Sequence, residues 1–93
     1  MRVILINADR LQERIPAHEY LKKLFGFPEY YGKNLDALYD CLTDISEPTT
    51  IIISRPGAGG YAERVLAVIS EAAENEFIHV INQPTERNTN NEA

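Results

Sequence analysis

Three short apolar runs constrain this chain more than anything else in it: Val3 to Ile6, Thr50 to Ser54 and Phe77 to Asn82. Each is strand length, and the stretches between them follow helical periodicity. Val3-Ile4-Leu5-Ile6 is continuously apolar and stops at Asn7-Ala8-Asp9, which suits a strand covered on both faces. Thr50 to Ser54 is a β-branched run, favoured on a pleated surface. The order strand, helices, strand, helix, strand predicts an α/β fold with a parallel sheet and right-handed crossovers.

The helices are read from their stops. Pro16 fits the first turn of a helix, where its missing N–H costs nothing. Ala17, Tyr20, Leu21, Leu24 and Phe25 fall at helical spacing, Lys22 and Lys23 suit the C-terminal end of the dipole, and Gly26 can close it. After Pro28 and a turn over 29–33, Asn34 is a natural N-cap for a second helix over about 34–43. Tyr61 to about Glu76 reads as a third, with Ala62, Val65, Leu66, Ile69 and Ala73 on one face. The 93 residues make one domain, residues 1–82. Residues 83–93, polar and rich in Asn, Thr and Glu, are expected to form a disordered tail.

The formal net charge of −5 argues against nucleic acid as the direct ligand, since phosphate contacts need clustered Lys and Arg. It suits a basic protein partner, which an acidic patch would steer in. Cys41 is the only cysteine, so no internal disulfide forms. It reads as a small core residue in a reducing compartment. Val3 to Ile6 is too short for a signal peptide or a membrane span, which points to the cytoplasm.

The second helix breaks a rule. On a helical wheel, Leu35, Leu38 and Leu42 share one side with Cys41 beside them. Asp36, Asp40 and Thr43 share the other with Asp44 at its edge, and Tyr39 stands between the two. The leucines belong to the core, so the acids face solvent. Asp36 is in the first turn, where a carboxylate favours the helix. Asp40 is a weak helix former at an interior position, and Asp44 meets the wrong end of the dipole. With like charges four apart, the stripe costs roughly 1–2 kcal/mol. A cation set against a carboxylate at about 4 Å returns up to ~4 kcal/mol before desolvation. Local rules broken together point to a binding site. The turn before the helix agrees: Tyr30, Tyr31 and Tyr39 are residues of the kind that anchor interfaces. Tyr31 is expected to pack on the core, and Gly32 to supply a backbone conformation that other residues resist.

The run Pro28-Glu29-Tyr30-Tyr31-Gly32-x-Asn34-Leu35-Asp36-Ala37-Leu38-x-Asp40-Cys41-Leu42-Thr43 closely resembles the central segment of barstar, the intracellular inhibitor of a secreted bacterial ribonuclease. The resemblance continues more weakly over most of residues 2–82. It implies a two-layer α/β fold, a three-stranded parallel sheet with helices packed on it, and no enzymatic activity, cofactor or metal. It also implies a mechanism: the turn and second helix plug a ribonuclease active site, with carboxylates standing in for RNA phosphates. By position, Tyr30, Gly32, Asn34, Leu35, Asp36, Tyr39, Asp40 and Thr43 match the family's contact residues, and Asp40 matches the aspartate that takes the phosphate subsite. In the last helix, Val68 and Glu71 match a peripheral contact. Tyr39 stands where barstar has tryptophan, and Asp44 and Ile45 replace a glycine and another tryptophan. The segment Arg55 to Gly60 is shorter than its counterpart and lacks room for a helix found there. The implied partner is a basic bacterial ribonuclease or ribonuclease toxin, bound 1:1. The free protein is expected to be monomeric; Phe25, Tyr30 and Tyr39 are the candidates for any homodimer.

Other readings are weaker. His18 and His79 stand alone in different elements and read as structural. Two carboxylates on one helix do not close a coordination shell. Gly57-Ala58-Gly59-Gly60 lies between a strand and a helix, where amides can cradle a phosphate, but no Lys-Ser/Thr follows and the reading is a connector. An acidic module of the same fold, binding a basic partner other than a ribonuclease, stays open because fold alone does not fix function.

Overall fold

A computed structural model describes residues 1–55 and 57–83. The elements run β1 (Arg2–Asn7), a 3-10 turn (Ala8–Leu11), α1 (Arg14–Phe25), α2 (Leu35–Thr43), β2 (Thr49–Ser54), α3 (Tyr61–Ala72) and β3 (Ile78–Gln83). The sheet is all parallel in the order β1-β2-β3. The fold is therefore a three-stranded α/β layer pair. Residues 57–60 carry no helix, and Pro56 and residues 84–93, which include all but the first residue of the expected tail, lie outside the described residues.

Sheet order explains the layering. Strands added in one direction by right-handed connections place every crossover on the same side of the sheet. Ile4, Ile6, Ile51, Ile53 and Ile78 point to that side and are buried with Leu11, Leu21, Leu38, Leu42, Val65 and Ile69. The opposite face is open: Val3 is 51 % and Leu5 63 % exposed. The expectation that Val3 to Ile6 is covered on both faces is thus corrected. A short apolar run looks the same whether one layer or two will cover it.

Several ends shift for identifiable reasons. Gly26 closes α1 in the left-handed conformation at φ 72°, its N–H donating to the Lys22 carbonyl. α3 ends at Ala72, not near Glu76, because the chain turns through Ala73 to Asn75 and the Ile78 N–H bonds to the Asn75 carbonyl at 2.9 Å. β3 accordingly starts at Ile78 and includes Gln83, the first residue of the expected disordered tail.

Candidate functional site

α2 begins as its sequence predicts. Asn34 is extended at φ −141°, and its side-chain oxygen accepts from the Ala37 N–H at 2.7 Å, filling one of the orphan donors of the first turn. Leu38 and Leu42 are fully buried, while Leu35 is half-buried. The far end is stabilised by a residue that sequence reasoning missed. The Asn75 amide reaches back to the carbonyls of Leu42 (3.3 Å), Thr43 (3.4 Å) and Ile45 (2.9 Å), and accepts from the Phe77 N–H. A helix that ends on Asp40 and Asp44 has no cation in its last turn. Asn75 brings donors to those carbonyls without neutralising the acids.

The acids are unpaired among the described residues. The ion pairs among the described residues are Lys22–Glu29, Lys33–Glu19 and Arg55–Glu63. None involves Asp36, Asp40, Asp44 or Glu71, all of which are exposed. The Thr43 hydroxyl turns back to the Asp40 carbonyl at 3.1 Å. Tyr39 is 40 % exposed, on the border between core and acids.

Asp40 and Asp44 form one wall of an open cleft of about 390 Å³, with Phe27, Tyr30, Tyr31 and Gly32 among the residues opposite. Tyr30 is 88 % exposed and Tyr31 only 5 %, as the core assignment of Tyr31 requires. Phe25, Phe27 and Tyr31 stack in series behind it, with ring centroids 5.1 and 4.8 Å apart. Cys41 packs against the core but is only half-buried, its other side lining the cleft. Burial first, then Asp44 and Asp40, push its thiol pKa up, so it stays a protonated thiol and a poor nucleophile at neutral pH.

The floor of the turn hangs on His18. This side chain is fully buried. Its Nδ1 lies 2.6 Å from the Tyr31 hydroxyl and its Nε2 2.7 Å from that of Tyr61. A neutral imidazole has one donor and one acceptor, so in either tautomer one tyrosine donates and the other accepts. Burial, with Arg14 adding to it, lowers the His18 pKa; burial also raises those of Tyr31 and Tyr61. The structural reading of His18 therefore holds, and the contacts show what it does: they tie the turn to α1 and α3. His79 is exposed on β3.

Gly32 does not take the unusual conformation expected of it. The left-handed residue is Lys33, at φ 55°, which costs a residue with a side chain about 1–2 kcal/mol. Arg14 holds it by donating to the Lys33 carbonyl at 3.2 Å, and the Lys33 ammonium reaches Glu19 at 2.6 Å. At Gly32 a methyl group would meet Ala37 Cβ and Asn34 Nδ2 at 3.4 Å, so glycine leaves the cleft wall open there rather than relieving strain.

α3 lies alongside α2. Tyr61 and Arg64 share a shallow depression with Leu35 and Asp36 at one end, and Asn75 meets Leu42 at the other. The helices therefore run in the same direction, and half-buried Val68 and exposed Glu71 fall between those levels. No hydrogen bond or ion pair joins either residue to the α2 acids among the described residues. The glycine connector offers no phosphate cradle. The first amides of α3, from Tyr61, Ala62 and Glu63, donate to the carbonyls of Gln12, Gly59 and Gly60, and the Asp9 carboxylate stands against Gly57. Among the described residues, no helix is long and apolar enough to cross a membrane.

Comparison with known proteins is consistent with this geometry. The model of the family described as "Barstar (barnase inhibitor)" matches residues 1–81. A protein of Bacillus subtilis (strain 168) named "Putative ribonuclease inhibitor YrdF" is 42% identical over 80 residues, an alignment covering 80% of this chain and 88% of that protein.

Proposed function

The chain belongs to the barstar family, and we propose that it inhibits a basic bacterial ribonuclease by seating the α2 ridge and the tyrosine turn in the enzyme's active site. The observation that carries this reading is that Asp36, Asp40 and Asp44 have no internal cation among the described residues. Three exposed carboxylates in one stripe, of which Asp40 and Asp44 cost the free helix stability, are explained by a cation supplied from outside. A ribonuclease cleft provides it, since it must hold a polyanion.

In this reading Asp40 takes the central phosphate position. Tyr30 and Gly32 frame the opening of the cleft, and Asn34, Leu35, Asp36, Tyr39 and Thr43 complete the contact along α2. Val68 and Glu71 extend it peripherally from α3. The inhibitor, folded over residues 1–82, acts by occlusion, one to one, in the cytoplasm. It needs no catalytic group, because covering an active site is enough. His18, Lys33 and Asn75 hold the surface in shape before the partner arrives, and such preorganisation lowers the cost of binding.

A titration against a panel of purified microbial ribonucleases, barnase included, tests the proposal. The expected result is stoichiometric loss of activity for at least one enzyme, with an association rate that falls as salt rises. A panel left uninhibited, or a complex indifferent to Asp40→Ala, would overturn it.

A further inference from the structure

Beside the acidic ridge lies a basic corner. Arg14 and Arg64 line one depression of about 260 Å³ together with Asn34, Leu35, Asp36 and Tyr61. Both arginines are exposed. Neither belongs to an ion pair among the described residues, although Asp36 lines the same depression. Arg14 spends one N–H on the Lys33 carbonyl at 3.2 Å, of the five that a guanidinium carries. Burial raises the Tyr61 pKa and both guanidiniums oppose the rise, so two like charges act on one hydroxyl.

Position ties this corner to the contact surface. Asn34, Leu35 and Asp36 belong to the proposed α2 contact. On α3, Arg64, Val68 and Glu71 stand at i, i+4 and i+7 and so share one face. Val68 and Glu71 are the peripheral contacts of the same proposal, and Arg64 carries their stripe on to the start of α2. A partner seated on Asn34, Leu35 and Asp36 therefore covers the two arginines as well. Covered cations without an acceptor are costly. An enzyme surface that is cationic throughout would be repelled there.

We propose that Arg64, together with Arg14, receives an Asp or Glu side chain of the ribonuclease, and that this contact selects among basic ribonucleases. It rests on reading the protein as a ribonuclease inhibitor. The guanidinium fork holds a carboxylate through two parallel N–H bonds, which fixes position as well as charge. An enzyme with a neutral or cationic side chain at that place must bury two unpaired guanidiniums, and is rejected. Along the interface the signs run acidic at Asp40 and basic at Arg64, so a partner turned the wrong way matches neither.

The sign of a charge reversal tests this. Arg64 is the residue to change, because Arg14 also holds the Lys33 turn. Against a basic enzyme, net charge alone makes Arg64→Glu bind faster and more tightly. A carboxylate seated on Arg64 reverses that order. With the ribonuclease that the panel titration shows to be inhibited, Arg64→Ala should raise Kd about tenfold and Arg64→Glu about a hundredfold, chiefly through faster dissociation. Arg64→Lys should recover part of the loss. Exchanging the Asp and Glu residues that border the enzyme's cleft for alanine, one at a time, should find one whose loss makes Arg64→Ala silent. Tighter or unchanged binding by Arg64→Glu would overturn the proposal, as would additive losses with every enzyme carboxylate. A fall in the urea midpoint of free Arg64→Ala that matches its loss of binding would make Arg64 structural and overturn it too. Any of these results, with inhibition still dependent on Asp40, leaves the inhibitor reading standing; a panel with no inhibited enzyme removes both.

Discussion

The α2 ridge and the open sheet face are both unsatisfied in the free protein, in opposite ways. One is a row of carboxylates without cations among the described residues. The other is a row of branched aliphatic side chains without a covering layer. The ridge is braced from behind by a buried imidazole, a left-handed lysine and a helix-capping asparagine. The sheet face has no such bracing, its residues being positioned by strand pairing itself. Polar recognition demands positions held to a fraction of an ångström.

The largest expected effect falls on the ridge. Asp40→Ala should cost the ribonuclease complex about 2 kcal/mol or more, the range that marks an interface hot spot. Stability of the free protein should hold or rise, because a like-charge neighbour is removed. Isothermal titration paired with urea unfolding reads both. A parallel loss of stability would make the ridge structural, and the contrast between the faces would fail.

His18→Ala should come next, destabilising the fold by about 2–4 kcal/mol. It removes a buried side chain and leaves two tyrosine hydroxyls without their partner. The wild type should also lose stability as pH falls below about 6.5, the ordinary histidine value from which burial lowers this one. There the unfolded chain takes up a proton that the folded imidazole refuses, so unfolding gains with each step down in pH. Urea midpoints across pH 5–8 for wild type and His18→Gln test the assignment. An unchanged slope in the variant would mean another group is responsible.

Asn75→Ala should cost about 1–2 kcal/mol, since it strips the donors from the last turn of α2. It should also slow association more than Glu71→Ala does, by loosening the helix that carries Asp40. Leu5→Thr is expected to be smallest, within about 0.5 kcal/mol in stability and without effect on inhibition. A large stability loss there would show that the open face is already covered within the monomer.

Much of this was legible residue by residue. The Asn34 cap, the Gly26 stop, the leucine face of α2 and the solvent side of its aspartates follow from local spacing, because capping and helical periodicity act within one or two turns. The alternation of strands and helices carried the parallel sheet for the same reason. Tyr31 as core and Tyr30 as surface were within reach, since only one of two adjacent tyrosines can turn inward. The conformation of the turn was not. Glycine seemed the natural left-handed residue, yet Lys33 holds that position because Arg14 and Glu19, distant in sequence, hold it there.

By itself, then, the sequence determined which segments form strands and helices, where α2 starts, and which of its faces is acidic. Tertiary structure alone decided what lies behind and beneath them: His18 between two tyrosines, Asn75 on the carboxyl end of α2, and a sheet with one side bare. The physical reason is range. Caps and amphipathic periods are set by neighbours within a few residues. A hydrogen bond spanning 43 positions, such as His18 to Tyr61, and the choice of which sheet face to cover exist only once the chain has closed on itself.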